Sequence, residues 1–276
     1  MSLLFNYRSR WQKRHELPEP EASFRAMDVW LQSPLGIELL AAEKEMLEPM
    51  LARVFGYHIL QLGCCTKSML GESPVGHKFF FTPSYNSDSR SPVAHNELLP
   101  LANESVDAVL IHHALDFTPD SHRLLREAAR VVMPGGKLLI MGFNPVSTWG
   151  LRKLFRWKNC LPWRGRFISS GRVSDWLKLL DFSIDKVTHG AYLLPINHVK
   201  VVGMSPKLER FGRRFLPPAG AVYFIVACKQ VMPVTPIVPR WPRIPRPVIV
   251  RPVGEASGAH QVVEKVSAPV SSNMRP

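Results

Sequence analysis

Short apolar runs alternate with amphipathic segments along this chain, and this alternation constrains the fold more strongly than any other feature of the sequence. Strands are predicted at the apolar runs 58–62, 78–82, 106–111, 137–141, 184–187 and 221–227. Helices are predicted at 121–132 and 174–180, and Ser33-Pro34 begins an earlier helix, which Pro49 would kink or divide. Continuous apolar strands separated by helices build a parallel sheet that is covered on both faces. We therefore expect an α/β fold.

The two ends of the chain differ from this central pattern. Residues 1–28 are predicted to be a flexible N-terminal arm, and residues 29–230 form the predicted domain. Residues 231–276 form a basic tail that we expect to be disordered, in which prolines recur with a period of three at 233, 236, 239, 242 and 245. This period matches the polyproline II helix. The tail could be an electrostatic arm or a proline-rich ligand, or it could have no specific role.

Composition narrows the functional classes. The 276 residues have a formal net charge of +13, which favours anionic partners such as nucleic acid, acidic lipid or an anionic substrate. No two of the four cysteines have CxxC spacing, so we expect neither a disulfide framework nor a metal site. The sequence lacks the apolar run of a secretory signal or a membrane-spanning helix. We therefore expect a cytoplasmic protein.

An ordered set of motifs occupies the centre of the chain. Leu99-Pro100-Leu101 and Ser105-Val106-Asp107 precede one predicted strand, and Leu125-Arg126-Glu127-Ala128 and Arg130-Val131 lie on the following helix. Pro134-Gly135-Gly136 then ends that helix and leads into the next strand. In this order and spacing, the chain resembles a poorly characterised bacterial subgroup of the type 11 group of class I S-adenosylmethionine-dependent methyltransferases. The resemblance covers roughly the predicted domain.

This resemblance implies a fold, an activity and a cofactor. The family has a Rossmann-like, doubly wound, mostly parallel sheet of seven strands, and we expect that sheet here. The resemblance further implies an enzyme that transfers a methyl group from S-adenosylmethionine to an acceptor, for which we favour a small molecule over RNA or protein. The motifs identify neither the acceptor nor its reacting atom, and the oligomeric state is left open.

The resemblance also locates the cofactor, at residues that depart from the family pattern. The predicted cofactor-binding residues are Gln61, Gly63, Cys64, His95, Asn96 and His112. Gly63 stands at the first glycine of the family's glycine-rich turn, but Cys65 replaces the second. Gln61 and His95 stand in place of acidic residues, and neutral side chains of these types can still hydrogen-bond ribose and adenine. We therefore predict a degenerate form of the family's cofactor site.

Candidate catalytic residues follow the strand at 106–111. His112, His113 and Asp116 could supply a general base, because histidine titrates near neutrality and methyl transfer can require removal of a proton from the acceptor. The alternative is structural, with one histidine packed in the core and the other lining the cofactor pocket. Asn144 and Trp149, after the next strand, could shape a substrate pocket.

A basic segment at residues 151–167 holds six Lys or Arg and no acid, with Trp157 and Trp163 among them. This mixture suits a single-stranded nucleic-acid surface, a lid over the active site, or an ordinary surface helix whose long side chains cover apolar surface. Together with the tail, this segment defines an alternative function. In that alternative the chain keeps a methyltransferase-like fold without catalysis and serves as a nucleic-acid or protein-binding module.

Overall fold

The computed structural model describes residues 20–63, 68–71, 73–81, 98–155, 161–196, 209–212, 214 and 217–231. Its α-helices are α1 (Pro20–Leu31), α2 (Pro34–Leu51), α3 (Ala114–Phe117), α4 (Ser121–Val131), α5 (Thr148–Phe155) and α6 (Ser170–Lys178). Its strands are β1 (His58–Gly63), β2 (His77–Phe81), β3 (Val106–His112), β4 (Val132–Phe143), β5 (Phe182–Gly190) and β6 (Val222–Lys229). All six predicted strands are present, and β4 and β5 are longer than predicted.

The six strands form one sheet in the order β2-β1-β3-β4-β6-β5. β1 pairs in parallel with β2 and β3, and β3 pairs in parallel with β4, whereas β6 is antiparallel to both of its neighbours. The predicted doubly wound, mostly parallel sheet is therefore confirmed. The strand count is a correction, because the described residues contain six strands and not seven. The sequence has six apolar runs, and the seventh strand was inferred from the resemblance alone.

The predicted N-terminal arm is wrong where the structure describes it, because α1 is a helix packed into the core. Phe24, Met27 and Leu31 are all buried. They recur at helical spacing, so one face of α1 is apolar and is covered by the rest of the domain. Residues 1–19, and the predicted tail from residue 232 onward, lie outside the described residues.

The second helix, α2, is continuous from Pro34 to Leu51. The Ser33 hydroxyl caps α2 by accepting a hydrogen bond from Gly36 N–H at 3.2 Å, as its position before Pro34 predicts. A Cβ at Gly36 would lie 2.5 Å from the carbonyl oxygen of Trp30, so the close approach of α1 requires glycine there. Pro49 lies in the last turn and does not divide the helix.

The Pro134-Gly135-Gly136 motif lies inside β4, because α4 ends at Val131 and β4 begins at the next residue. The register of β4 against β3 shifts where the motif occurs, since Val106 pairs with Val132 and Ala108 pairs with Lys137. The extra residues of β4 form a bulge, in which Gly135 has a φ of +79°. The helix therefore ends before the predicted motif, which lies in the strand and contributes the extra residues of the bulge.

Two hydrophobic clusters cover the two faces of the sheet. Successive residues of β1 alternate between the faces, so that Leu60 and Leu62 belong to the larger cluster and Ile59 to the smaller. The last two turns of α2 contribute Leu47 and Leu51 to the smaller cluster. Burial on both faces explains why the strands appear in the sequence as continuous apolar runs. Across the described residues, no helix has the length and apolarity needed to cross a membrane.

The motifs around α4 form one hydrogen-bonded unit. Arg130 and Glu127 make an ion pair at 2.9 Å, as their spacing predicts. The Arg130 guanidinium also donates to the carbonyl oxygens of Leu99 and Leu101, and the Glu127 carboxylate accepts from Leu99 N–H at 3.2 Å. This pair therefore fastens the segment before β3 to α4.

Candidate functional site

The carboxyl ends of β1, β3 and β4 meet at one edge of the sheet. Gly63 ends β1, His112 ends β3, and the two residues pair in register across the strands. The strand order changes direction here, because β1 connects outward to β2 while β3 continues to β4 on the other side. Doubly wound sheets bind their ligands at this switch point. The edge formed by β1 and β3 is therefore the candidate site.

Gly63 has a structural reason to be glycine. A Cβ at this position would lie 2.5 Å from the backbone oxygen of His112 and 3.0 Å from the His112 Cβ. A side chain would therefore force the two strand ends apart. The contact predicted between Gly63 and a cofactor stays a prediction.

Gln61 is buried, and its side chain organises the chain that follows β1. Its Oε1 accepts a hydrogen bond from Met69 N–H at 2.8 Å. Gln61, which replaces the family's acidic residue, thus holds the backbone at Met69. Its predicted contact with a cofactor stays a prediction. Of the other predicted cofactor residues, His112 ends β3, and its contact with a cofactor stays a prediction. Cys64, His95 and Asn96 lie outside the described residues.

The three predicted catalytic residues come together in the interior, around a carboxylate that the sequence did not single out. Glu43, from the middle of α2, contacts His112 Nε2 through Oε2 at 2.8 Å and His113 Nε2 through Oε1 at 2.6 Å. His113 Nδ1 lies 3.1 Å from Asp116 Oδ2, which also accepts from Phe143 N–H at 3.0 Å. All four of these side chains are fully buried. We call them the Glu43 cluster.

A sequence signal for Glu43 does exist. Leu39, Glu43 and Leu47 are spaced four residues apart and therefore lie on the same face of α2. An acidic residue on the apolar stripe of a helix is costly to bury unless it is paired. Its partners come from β3 and α3, which are distant in sequence, so only the fold identifies them.

Burial and mutual charge set the protonation of the cluster. Burial alone would raise the pKa of Glu43, but His113 and His112 outweigh it and lower that pKa to about 2. Burial alone would lower the pKa of His113, but Glu43 and Asp116 raise it to about 9. Burial raises the pKa of Asp116, against the lowering effect of its hydrogen bond with His113. At neutral pH the centre of the cluster is therefore a Glu43 carboxylate with a His113 imidazolium.

This protonation separates the two histidines chemically. Both ring nitrogens of His113 donate hydrogen bonds to carboxyl oxygens, so His113 has no lone pair with which to act as a base. His112 donates to the Glu43 carboxylate through Nε2, and this bond favours the tautomer that has its lone pair on Nδ1. That Nδ1 is buried, and no described residue forms a hydrogen bond with it. Of the three predicted bases, His113 is the one whose ring nitrogens are both engaged, whereas His112 Nδ1 and Asp116 Oδ1 have no hydrogen-bond partner among the described residues.

The donor set of the cluster could also hold a metal ion. Ligand atoms of Glu43, His112 and His113 all lie within 4.8 Å of one another. The Glu43 carboxylate already accepts a hydrogen bond from each imidazole, however, so the arrangement is explained without a cation.

A cleft lies next to the cluster, lined in part by the segments that follow β3 and β4. Its volume is about 680 Å³, and its lining includes Lys153 and Arg166 from the predicted basic segment 151–167. Arg166 N–H donates to the Asp116 backbone oxygen at 2.6 Å, which joins the wall of the cleft to the cluster. Residues 156–160, with Trp157, lie outside the described residues. We call this feature the basic cleft.

Asn144 and Trp149, predicted to shape a substrate pocket, have structural contacts instead. The Asn144 side-chain amide donates to the backbone oxygens of Pro218 at 2.7 Å and Gly220 at 2.9 Å. The Trp149 ring is buried, and its Nε1 donates to the Leu193 oxygen at 2.7 Å. Both residues hold the loop after β4 in place.

Known proteins resemble this chain in sequence over much of its length. A family model described as a methyltransferase domain matches residues 85–140. The uncharacterised protein YafS of Escherichia coli K12 is 34% identical over 215 residues, which cover 76% of this chain and 84% of YafS. The ubiquinone/menaquinone biosynthesis C-methyltransferase UbiE of Bordetella parapertussis is 33% identical over 84 residues, which cover 30% of this chain and 32% of UbiE.

Solved structures resemble it in fold. The S-adenosylmethionine-dependent methyltransferase from Thermotoga maritima superposes with a TM-score of 0.51 at 18% identity, over 82% of this chain and 96% of that protein. At this identity the likeness concerns the fold alone, and it agrees with the doubly wound sheet described above. The match to the methyltransferase-domain model, the motifs around α4 and the long match to YafS lead to one conclusion. The chain belongs to the type 11 group of the class I S-adenosylmethionine-dependent methyltransferase family.

Proposed function

We propose that this chain is an active methyltransferase that binds S-adenosylmethionine at the carboxyl ends of β1 and β3 and methylates a small-molecule acceptor. The observation that carries the proposal is that His112 Nδ1, a buried nitrogen at the end of β3, has no hydrogen-bond partner among the described residues. Buried polar atoms without a partner are uncommon in native proteins and call for an explanation. A ligand group that donates a hydrogen bond at the switch point would satisfy this atom.

The local residues fit such a ligand in position and in chemistry. Gly63 and His112 pair in register, so the strand that would carry the cofactor turn ends beside the strand that carries the free lone pair. When bound, S-adenosylmethionine would supply a methyl group on a sulfonium sulfur, and the protein's task is then to position the acceptor and manage its proton.

His112 is the general base in this proposal. Glu43 holds the ring by accepting from Nε2, which fixes the tautomer and keeps the lone pair on Nδ1. Nδ1 would take the proton of an acceptor O–H or N–H as the new bond to the methyl group forms. His113 and Asp116 are positioning residues, because His113 donates to Glu43 and Asp116 accepts from His113 and from Phe143 N–H at the end of β4.

The test combines cofactor binding with transfer. The full chain is titrated with S-adenosylmethionine and S-adenosylhomocysteine, and then incubated with methyl-tritiated S-adenosylmethionine and a bacterial small-molecule extract. We expect micromolar binding and label in the extract. His112→Gln should bind S-adenosylhomocysteine with unchanged affinity and transfer label about 100-fold more slowly, the lower end of the effect of a general base.

The matched control is His58→Gln, at the opposite end of β1, where the ring is exposed and contacts His77. This variant should transfer label at the wild-type rate. A folded wild-type chain that binds neither S-adenosylmethionine nor S-adenosylhomocysteine would overturn the proposal and favour the binding-module alternative. A Gly63 variant is a poor test, because any side chain there meets the His112 backbone.

A further inference from the structure

The basic cleft has the dimensions of a small-molecule site. Its volume of about 680 Å³ lies within the range of about 300–1,000 Å³ that is usual for ligand pockets. Its walls come from the loop after α3, the start of α4, the loop after β4, α5, segment 166–169 and α6. The loops after α3 and β4 follow the carboxyl ends of β3 and β4, which belong to the candidate site.

The charge of the cleft is strongly one-sided. Lys153, Arg166 and Arg172 line it, and Asp120 is the one acidic residue among the lining residues. Asp120 is already engaged, because its Oδ1 caps α4 by accepting from Arg123 N–H at 3.0 Å. The lining therefore holds three cations and one carboxylate, and Lys153 also interacts with the buried Asp116 carboxyl beside the cleft.

The structural contacts of these cations use only part of their hydrogen-bonding capacity. Arg166 donates from Nη1 to the Pro119 oxygen at 2.9 Å, whereas a guanidinium has five N–H groups. Lys153 donates to the Gly165 oxygen and lies 4.6 Å above the Phe167 ring. Within the described residues, the structure gives no ion pair for Lys153, Arg166 or Arg172.

The cleft also has an aromatic wall. Trp176 lines it and packs against His122 with 3.9 Å between ring centroids. Phe167 lines it as well, and stacks on Phe143 with 5.0 Å between centroids. Cations beside aromatic rings suit a ligand that has an anionic group and a flat apolar portion.

We infer that the basic cleft binds the anionic group of the methyl acceptor, a carboxylate or a phosphate on a small organic molecule. Arg166 and Arg172 supply the planar donors that match either oxyanion, and Lys153 adds a third positive charge. The identification of the ligand as the acceptor rests on the proposed function, whereas anion binding in the cleft does not.

The experiment uses the full chain and three probes of matched shape: phenyl phosphate, benzoate and uncharged benzyl alcohol. Isothermal titration at fixed ionic strength should give binding of one or both anions and at least tenfold weaker binding of benzyl alcohol. The two anionic probes distinguish a phosphate from a carboxylate as the preferred group. Arg166→Gln and Arg172→Gln should each weaken binding of the preferred anion by about tenfold or more, the loss expected for one charged hydrogen bond.

The control is Arg164→Gln, which removes the same charge two residues from Arg166 at an exposed position that does not line the cleft. It should change anion affinity less than twofold. Equal weakening by Arg164→Gln would show a diffuse electrostatic effect and overturn the site, as would equal affinity for benzyl alcohol. A single-stranded oligonucleotide is tested as a competitor of the anion. Competition that depends on residues outside the cleft would also overturn the assignment of the anion to the cleft.

Binding of S-adenosylhomocysteine is measured on the same samples. Arg166→Gln should retain it at the wild-type affinity, which also shows that this variant is folded. If the anion binds and S-adenosylhomocysteine does not, the proposed methyltransferase activity fails while the anion site stands. If S-adenosylhomocysteine binds and neither anion does, the inference about the cleft fails while the methyltransferase proposal stands.

Discussion

A backbone hydrogen bond joins the Glu43 cluster and the basic cleft. The two regions differ in whether their charged side chains form ion pairs. In the cluster, Glu43 and His113 are fully buried and neutralise each other at 2.6 Å. In the cleft, Lys153 and Arg166 face a concave surface without an ion-pair partner among the described residues. Charge that is removed from water must be paired within the protein, whereas charge in an open cleft can remain available for a ligand. Substitutions in the cluster should therefore change stability, and substitutions in the cleft should change binding.

The largest expected effect is that of Glu43→Ala. This change leaves a buried His113 without its carboxylate partner, and breaking a buried ion pair in this way costs about 3–5 kcal/mol. We expect the free energy of unfolding, measured by urea denaturation at pH 7, to fall by that amount. Glu45→Ala, at an exposed position of the same helix, should cost about 0.5 kcal/mol or less. Similar losses in the two variants would contradict the assignment of Glu43 as the centre of the cluster.

The pH dependence of stability tests the same cluster without a substitution. The pKa of His113 is raised from 6.5 to about 9, so its stabilising effect is complete below pH 6.5 and is lost as the pH rises through 9. The pKa of Glu43 is lowered from 4.5 to about 2, so its effect is complete above pH 4.5 and is lost as the pH falls toward 2. The raised pKa of Asp116 acts in the same direction as that of His113.

Urea midpoints between pH 5 and pH 9.5 would measure this alkaline loss. The wild type should lose stability above about pH 7, and His113→Gln should show a flatter profile over the same interval, because the titrating group is absent. A wild-type profile that rises between pH 7 and pH 9 would contradict the raised pKa of His113.

A smaller loss is expected where the charges are only partly removed from water. The Arg130 side chain is 31% exposed and donates to Glu127 and to backbone oxygens of the segment before β3. Arg130→Gln should lower the free energy of unfolding by about 1–3 kcal/mol, the range for hydrogen bonds of charged groups. Arg126→Gln, at an exposed position of the same helix, is the control and should be nearly neutral. If Arg130→Gln lost as much stability as Glu43→Ala, the extent of burial would not explain why ion pairs in this fold differ in their contribution to stability.

The sequence predicts the sheet better than it predicts the site, and particular residues show why. The strands come from local apolar runs, and the Ser33 cap and the Glu127–Arg130 pair depend on residues three positions apart, so all of these can be identified from neighbouring letters. The burial of α1 could also have been predicted from Phe24, Met27 and Leu31, because they recur at helical spacing.

The Glu43 cluster could be predicted only in part. His112, His113 and Asp116 are close in sequence and were identified together, but Glu43 is 69 residues before His112. The different chemistry of the two histidines depends on which carboxyl oxygen each ring nitrogen reaches, and that is a property of the packed structure. The basic segment was likewise visible in the sequence, but the cleft also needs Arg172 from α6 and the loop after α3.

The smallest expected effect on stability is that of Arg172→Gln. This variant tests whether a cation of the cleft contributes to binding and not to stability. Arg172 is exposed at the start of α6, and its backbone N–H, which bonds to the Ser169 hydroxyl at 3.4 Å, is retained in the variant. The free energy of unfolding should change by no more than about 0.5 kcal/mol, while the affinity for the preferred anionic probe falls about tenfold. Urea denaturation and titration of the same preparation measure both quantities. If the variant lost stability and kept its anion affinity, Arg172 would stabilise the fold, as Glu43 does. The division into stabilising charges in the cluster and ligand-binding charges in the cleft would then be wrong.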